Sequence, residues 1–119
     1  MQYLLLIYGN ETYWDKLSEK EREKIMEEYG AFTQSIAGSG HLRGGNELAA
    51  TSKATTVRVR DGKRLITDGP FAETKEQLGG YYLVEAKDLD EALALAARIP
   101  SVRWGAIEVR PIIPHDIPG

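Results

Sequence analysis

The sequence predicts a single α+β domain in which two helices cover one face of a mostly antiparallel sheet. The chain has 119 residues, a common size for one domain, and no repeat or low-complexity segment divides it. Short apolar or alternating segments are interleaved with two helical patterns. One two-residue turn joins two consecutive strands directly. One domain over residues 1–119 is therefore expected.

The first element is a strand, and the second is a long helix. Residues 3–8 are continuously apolar, which is typical of a strand buried on both faces. A polar connection over residues 11–17 then leads to Ser18, which with Glu21 forms a capping box. The helix from there to Gly38 carries one apolar stripe, formed by Ile25, Tyr29, Phe32 and Ile36.

The middle of the chain is expected to be extended. Residues 41–48 read as an extended segment interrupted by Gly44 and Gly45. Residues 55–60 alternate, Asp61-Gly62 is a hairpin turn, and residues 63–67 return. The sequence thus predicts a hairpin between the two halves of the sheet.

The last third predicts a loop over residues 68–80, a strand over 81–86, a second helix and a final strand. Asp88 and Glu91 predict another capping box for this helix, which Pro100 ends. Residues 106–109 form the last strand, and a proline-rich extended tail follows Pro111. The order of elements is ferredoxin-like, with an inserted β-hairpin.

One face of such a sheet has no helix to cover it. In the first strand Tyr3, Leu5 and Ile7 point one way, and Leu4, Leu6 and Tyr8 point the other way, so both of its faces are apolar. Because contiguous exposed apolar patches usually mark contacts with a partner, we expect a homodimer with its two sheets packed face to face. Charged side chains projecting between the sheets would line a small-ligand cleft; a solvated sheet edge is the alternative.

Composition excludes several classes of function. The chain has no cysteine and two histidines, so disulfides, thiolate nucleophiles and Cys-ligated metals are excluded, and we expect no metal or cofactor. A net charge of −3 argues against direct nucleic-acid binding. No apolar run is long enough to cross a membrane, so a cytoplasmic location is expected.

One motif carries a family resemblance. Residues 67–82 read TDGPFAETKEQLGGYY, which closely resembles the signature of DGPF-type proteins, a branch of the YCII-related family. The segments 55–58 and 105–111 also resemble that family, so the similarity covers nearly the whole chain. The resemblance implies a ferredoxin-like, dimeric α+β barrel.

The resemblance also bears on function. YCII-related proteins are described as enzymes because a histidine and an aspartate meet in a cleft, and DGPF-type proteins are linked to extracytoplasmic-function sigma factors. This chain departs from the pattern, because its first helix contains no histidine and Tyr29 and Phe32 occupy that face. In DGPF-type proteins the position of His41 usually carries an apolar residue, so His41 does not simply inherit the role.

Two carboxylates are the candidate catalytic residues, Asp68 and Glu73. Asp68 would act as a general base if burial raised its basicity; the alternative is that it caps the turn before Gly69-Pro70. Glu73 shares a short loop with Lys75 and Glu76, which predicts either a ligand site or a surface ion-pair cluster.

Four other residues are candidates for binding a substrate: Arg58, Lys75, Tyr81 and His41. Arg58 or Lys75 would hold an anionic group on a small ligand. These residues leave open whether the protein is an enzyme that transfers protons without a cofactor, or a noncatalytic ligand-binding or regulatory module. A third hypothesis is direct contact with a sigma factor through the acidic helix face or the tail.

Overall fold

A computed structural model describes residues 1–115 and shows a four-stranded antiparallel sheet with a separate two-stranded ribbon. The sheet has the order β2–β5–β1–β6. Its strands are β1 (Gln2–Gly9), β2 (Leu42–Glu47), β5 (Gln77–Glu85) and β6 (Ala106–Pro111). The two strands of the ribbon are β3 (Thr55–Arg60) and β4 (Lys63–Asp68). This order confirms the α+β class and is compatible with a ferredoxin-like fold.

Three α-helices accompany the strands in the described chain: α1 (Thr12–Asp15), α2 (Glu19–Gly38) and α3 (Leu89–Ala96). The capping box of α2 is present, because Ser18 accepts from the Glu21 amide and Glu21 accepts from the Ser18 amide. Asp88 caps α3 by accepting from the Glu91 amide. The carboxylate of Glu91 instead accepts from the Lys87 amide, so the second predicted box is incomplete.

The main core lies between the sheet and helices α2 and α3. Alternate residues of β1 point into it, and Leu5 is fully buried between Tyr82 of β5 and Val109 of β6. The buried cluster comprises Tyr3, Leu5, Phe32, Ile36, Val84, Ala86, Ala92, Leu95, Ala96 and Ile99. Three of the four residues of the predicted helical stripe are buried, and Tyr29 is half-buried against this cluster.

The opposite face of the sheet, here called the outer face, carries no helix or strand of the described chain. The register places Leu4, Leu6, Tyr8, Leu78, Tyr81 and Leu83 on it, and all six are partly exposed. Glu108 and Arg110 lie beside them on β6 and form an exposed ion pair at 3.0 Å. The predicted uncovered face is therefore present in the single chain.

The ribbon stands away from the rest of the described chain. Its turn residues Asp61 and Gly62 have φ angles of 50° and 74°, as a two-residue hairpin turn requires. Every ribbon residue except Thr56 is exposed. Neither face of the ribbon is therefore covered by other residues of the described chain.

Two sequence-based boundaries were wrong. The connection over residues 11–17 contains α1, which has only four residues and therefore too few positions to show a helical period. The loop predicted over 68–80 ends early, because β5 begins at Gln77. Gly80 lies within this strand, and glycine fits there because a Cβ would lie 2.9 Å from the Asn46 carbonyl oxygen of β2. Part of the predicted tail, residues 116–119, lies outside the described residues.

Candidate functional site

The segment between the ribbon and β5, residues 69–76, is here called the motif loop, and it borders a cavity of about 400 Å³. The opposite wall of this loop cavity is a short 3₁₀ turn, Thr51–Lys53, that precedes the ribbon. The lining residues are Thr51, Ser52, Gly69, Pro70, Ala72, Glu73, Thr74 and Gln77. The cavity thus lies at the base of the ribbon.

Hydrogen bonds fix both ends of the motif loop. At its start the Gly69 amide donates to the Ala54 carbonyl at 2.7 Å, and the Thr56 hydroxyl donates to the Gly69 carbonyl at 2.8 Å. Gly69 has a φ of +97°, a conformation that favours glycine. At its end the Gln77 side-chain amide donates to the Thr74 carbonyl at 2.5 Å. Hydrogen bonds to Ala54 and Thr56 at one end, and from Gln77 at the other, therefore hold this wall of the loop cavity.

Glu11 holds the opposite wall, and the sequence analysis missed it. Its carboxylate accepts from both the amide and the hydroxyl of Thr51, at 2.7 and 2.8 Å. The Glu11 amide in turn donates to the side-chain oxygen of Gln77 at 3.0 Å. A single residue, Glu11, therefore connects the 3₁₀ turn to the first residue of β5. No local pattern signals this role, because the bonded residues are 40 and 66 positions away.

The lining of the loop cavity mixes polar and apolar groups, and Glu73 is the one charged residue among the described residues that line it. Three side-chain hydroxyls and the Gln77 amide accompany that carboxylate. Such a lining accepts hydrogen bonds from a donor-bearing ligand and gives an anion no positive partner. Within one described chain, the loop cavity therefore suits a small amine or polyol better than the anionic ligand that the sequence predicts.

The remaining candidates of the motif lie outside the loop cavity. Lys75 and Glu76 are exposed and do not line it. Asp68 and Arg58 lie on the ribbon, where the register puts Asp68 opposite Thr55 and Arg58 opposite Leu65. Because side chains alternate along a strand, Asp68 and Arg58 point to opposite faces of the ribbon. Neither Asp68 nor Arg58 lines the loop cavity with Glu73.

The two proposed roles of Asp68 both lack a contact within residues 1–115. Its carboxylate is exposed and takes part in no hydrogen bond or ion pair there, so the turn before Pro70 is not capped by it. The structure instead fixes that turn through Thr56 and Ala54. The carboxylate is equally not placed beside a partner that would make it a base.

Tyr81 and His41 lie at different places on the sheet. Tyr81 is on the outer face, where its hydroxyl accepts from the Asn46 side-chain amide at 2.9 Å. His41 precedes β2, at the end of that strand opposite to Glu47 and the loop cavity. Its ring nitrogens contact the Ser39 hydroxyl at 2.6 Å and the Glu91 carboxylate at 3.0 Å. His41 thus joins α2 and α3 rather than the loop cavity.

A second polar cluster, also missed from the sequence, lies where α2 meets the sheet. The Tyr29 hydroxyl bonds to Ser101, and Thr33 and Tyr82 share a hydrogen bond of 2.7 Å. Burial raises the pKa of the Tyr29 hydroxyl above its ordinary value, although the bond to Ser101 opposes this shift. With its pKa raised, Tyr29 stays protonated at neutral pH, and its hydrogen bond to Ser101 connects α2 to the segment before β6.

A second cavity, of about 480 Å³, lies between α2 and the segment that follows α3. Phe32, Ile99 and Pro100 contribute to its apolar wall. Arg98 lies over the Phe32 ring and donates to the Ser35 hydroxyl at 2.6 Å, while Arg103 pairs with Glu28. Its arginines already have partners in the chain, and none of the candidate residues from the sequence lines it.

The described residues, 1–115, hold neither a cluster of metal ligands nor a membrane-spanning helix. No group of three or more histidine, aspartate or glutamate side chains is arranged there to hold a metal ion. None of the described helices is long and apolar enough to cross a membrane.

Comparison with known proteins matches the whole described chain. Over 123 aligned residues, it is 37% identical to an uncharacterized protein of Rhizobium meliloti (strain 1021), with 99% of each chain covered. The model of the YCII-related domain matches residues 1–116. This confirms the family that the motif suggested, and the chain belongs to the YCII-related domain family.

Proposed function

We propose that this protein is a homodimer that binds a small polar molecule in the loop cavity. The observation that carries the binding function is the braced cavity itself. Its two walls come from segments that have no core to hold them, yet Glu11 and Gln77 fix both by hydrogen bonds. An exposed loop that a rigid scaffold holds in this way is typical of a binding element.

The dimer rests on the surface that one chain leaves uncovered. The chain exposes 8648 Å², whereas a compact monomer of this length exposes about 6,400 Å². The difference, roughly 2,200 Å², exceeds the area of about 800 Å² that each partner buries in a standard interface. The apolar outer face is the surface that a second copy would cover, so we place the contact between the two sheets.

Binding without catalysis is the function that the geometry favours. A carboxylate that acts as a general base near neutral pH needs an environment that shields it from water. Asp68 and Glu73 are both exposed in the single chain, and only Glu73 lines the loop cavity. Proton-transfer chemistry would therefore require the second copy to cover these groups.

The binding proposal is tested with three small probes of matched size: ethanolamine, ethylene glycol and acetate. Amide chemical shifts of ¹⁵N-labelled protein report the binding. We expect ethanolamine to shift the signals of Thr51, Ser52 and Thr74, ethylene glycol to shift them less, and acetate not to do so. Preferred binding of acetate, or no shift with any probe, would contradict the proposal.

Two substitutions in the motif loop separate the cavity from the loop surface. Glu73→Gln removes the one charge in the cavity and should weaken ethanolamine binding at least about tenfold, the loss of a charge-assisted hydrogen bond. Glu76→Gln makes the same change on a residue that does not line the cavity, and its affinity should equal that of the wild type. Equal loss in both variants would point to a general charge effect.

Catalysis and the sigma-factor link have their own tests. In an enzyme, Asp68→Asn should abolish turnover. In a noncatalytic binding module, the same variant should still bind ethanolamine. The sigma-factor link is a prediction from the resemblance. Co-purification of a sigma factor that is lost when the residues after Pro111 are deleted would support it.

A further inference from the structure

The ribbon, residues 55–68, is the feature of the fold that the chain itself does least to stabilise. A two-stranded ribbon alone is marginally stable in water and needs a third strand or a covering layer. Here neither face is covered, because Val57, Val59 and Ile66 on one face are 58–60% exposed and Leu65 on the other is 47% exposed. None of the buried core residues lies in the ribbon.

The shape of the chain agrees with an arm that reaches away from its own body. The radius of gyration is 16.6 Å, whereas a compact domain of 119 residues has a value of about 13.5 Å. The extents of 49 × 45 × 23 Å describe a flat, wide object. An arm of this kind, with apolar side chains on both faces, is expected to lie against another surface.

Charge indicates which surface that is. The ribbon carries four basic residues, Arg58, Arg60, Lys63 and Arg64, and two acidic ones, which gives a net charge of +2. Since the whole chain has a net charge of −3, the remaining residues carry −5. None of these four basic side chains forms an ion pair within the described chain. The body of a second copy therefore offers the complementary charge.

We infer that each ribbon is an exchanged arm that packs on the partner protomer of the homodimer, with its apolar residues buried and its basic tip against the partner's acidic body. The inference rests on the homodimer of the proposed function but goes beyond the contact between sheets. Strand β4 runs directly into Gly69, the first residue of the loop cavity. The partner would thus hold the strand that leads into each binding site.

The first test uses the absence of cysteine from the chain. Val59→Cys creates a single attachment point for a benzophenone photo-crosslinker at an exposed ribbon position. An equal mixture of ¹⁵N-labelled and unlabelled protein is then irradiated and its crosslinked peptides are analysed by mass spectrometry. We expect crosslinked peptide pairs of mixed isotope composition, which arise only between protomers. Crosslinks found solely within one isotope would overturn the inference.

The second test measures dimer affinity by sedimentation. The triple variant Val57→Thr, Val59→Thr and Ile66→Thr keeps strand-forming residues but removes apolar contact, and should weaken dimerisation about 100-fold. The control Met26→Gln and Leu93→Gln alters exposed apolar residues on helices and should leave the affinity unchanged. Circular dichroism verifies that both proteins remain folded.

The outcomes separate this inference from the proposed function. A wild-type protein that is monomeric at 10 μM would overturn the dimer and the exchanged arm together. A dimeric wild type with an equally dimeric triple variant would overturn the arm alone and leave the contact between sheets. The ethanolamine measurement judges the loop cavity independently of both results.

Charge reversal gives a further check on the tip. Arg60→Glu with Lys63→Glu should weaken the dimer at least about tenfold at 50 mM salt and less at 500 mM, because salt screens exposed charges. Lys20→Glu with Lys24→Glu makes the same change in net charge on α2 and should have a smaller effect. Equal effects of the two pairs would contradict a specific role of the tip.

Discussion

The hydrogen bond between Tyr29 and Ser101 ties helix α2 to the segment before β6, and its removal gives a quantitative test of the buried polar cluster. Ser101 is 8% exposed, so Tyr29→Phe leaves its hydroxyl buried without this partner. A lost hydrogen bond with an unsatisfied buried group costs about 1–3 kcal/mol, so we expect about 2 kcal/mol. Ser101→Ala should cost less, about 1 kcal/mol, because half-buried Tyr29 can still meet water.

The double variant distinguishes a specific bond from general loss of packing. With both hydroxyls removed nothing is left unsatisfied, so the double variant should lose about 1 kcal/mol, the net worth of the bond, rather than the sum of about 3. The assay is urea denaturation of the four proteins at one fixed concentration, because a dimer's stability depends on concentration. Additivity within about 0.3 kcal/mol would refute the reasoning.

The same pair predicts a pH dependence. Burial raises the pKa of Tyr29 in the folded protein, and the unfolded tyrosine titrates near its ordinary value of about 10. The folded state therefore binds this proton more tightly, and the stability it contributes is complete below about pH 10 and lost as the pH rises through the folded pKa. Tyr29→Phe has no such proton, so the stability gap to the wild type should narrow above about pH 10. Parallel profiles between pH 8 and 11 would contradict this.

Three further substitutions test the packing, each by urea denaturation. Gly30→Ala should stabilise the protein by about 0.5–1 kcal/mol, because the site lies inside α2 with open space for a methyl group; destabilisation would contradict this. Gly105→Ala should destabilise it by more than about 2 kcal/mol, because its Cβ would overlap the Tyr8 carbonyl oxygen, and a neutral result would show that the loop moves freely. Ile36→Ala should cost about 2–5 kcal/mol, since Ile36 is fully buried in the core; a loss below about 1 kcal/mol would place it at the edge instead.

Most of the fold was predictable because its signals are local. Three signals each involve residues that are close together in the chain: the capping box at Ser18, the stripe through Ile36 and the Asp61-Gly62 turn. The uncovered sheet face also followed from the alternation in β1. Two local predictions were wrong. Helix α1 has only four residues and shows no helical period, and the glycines of β5 resemble those of a loop.

The candidate site was predictable only in part. The motif indicated the loop, and Glu73 does line a cavity within it. The same reasoning grouped Asp68 and Arg58 with it, but the hairpin register separates their side chains onto opposite faces. An assignment of residues to one site depends on which face each side chain takes, and strand register decides that only once both strands are paired.

The sequence by itself determined the family and the order of the strands and of helices α2 and α3, since caps, periods and turns depend on residues that are close together in the chain. Only the tertiary structure decided where the cavity lies and what holds it. Glu11 reaches Thr51 and Gln77 through bonds between residues far apart in the chain, and such contacts leave no periodic trace. The tertiary structure also showed that residues 1–115 leave the ribbon uncovered, because the burial of a residue depends on contacts across the whole fold.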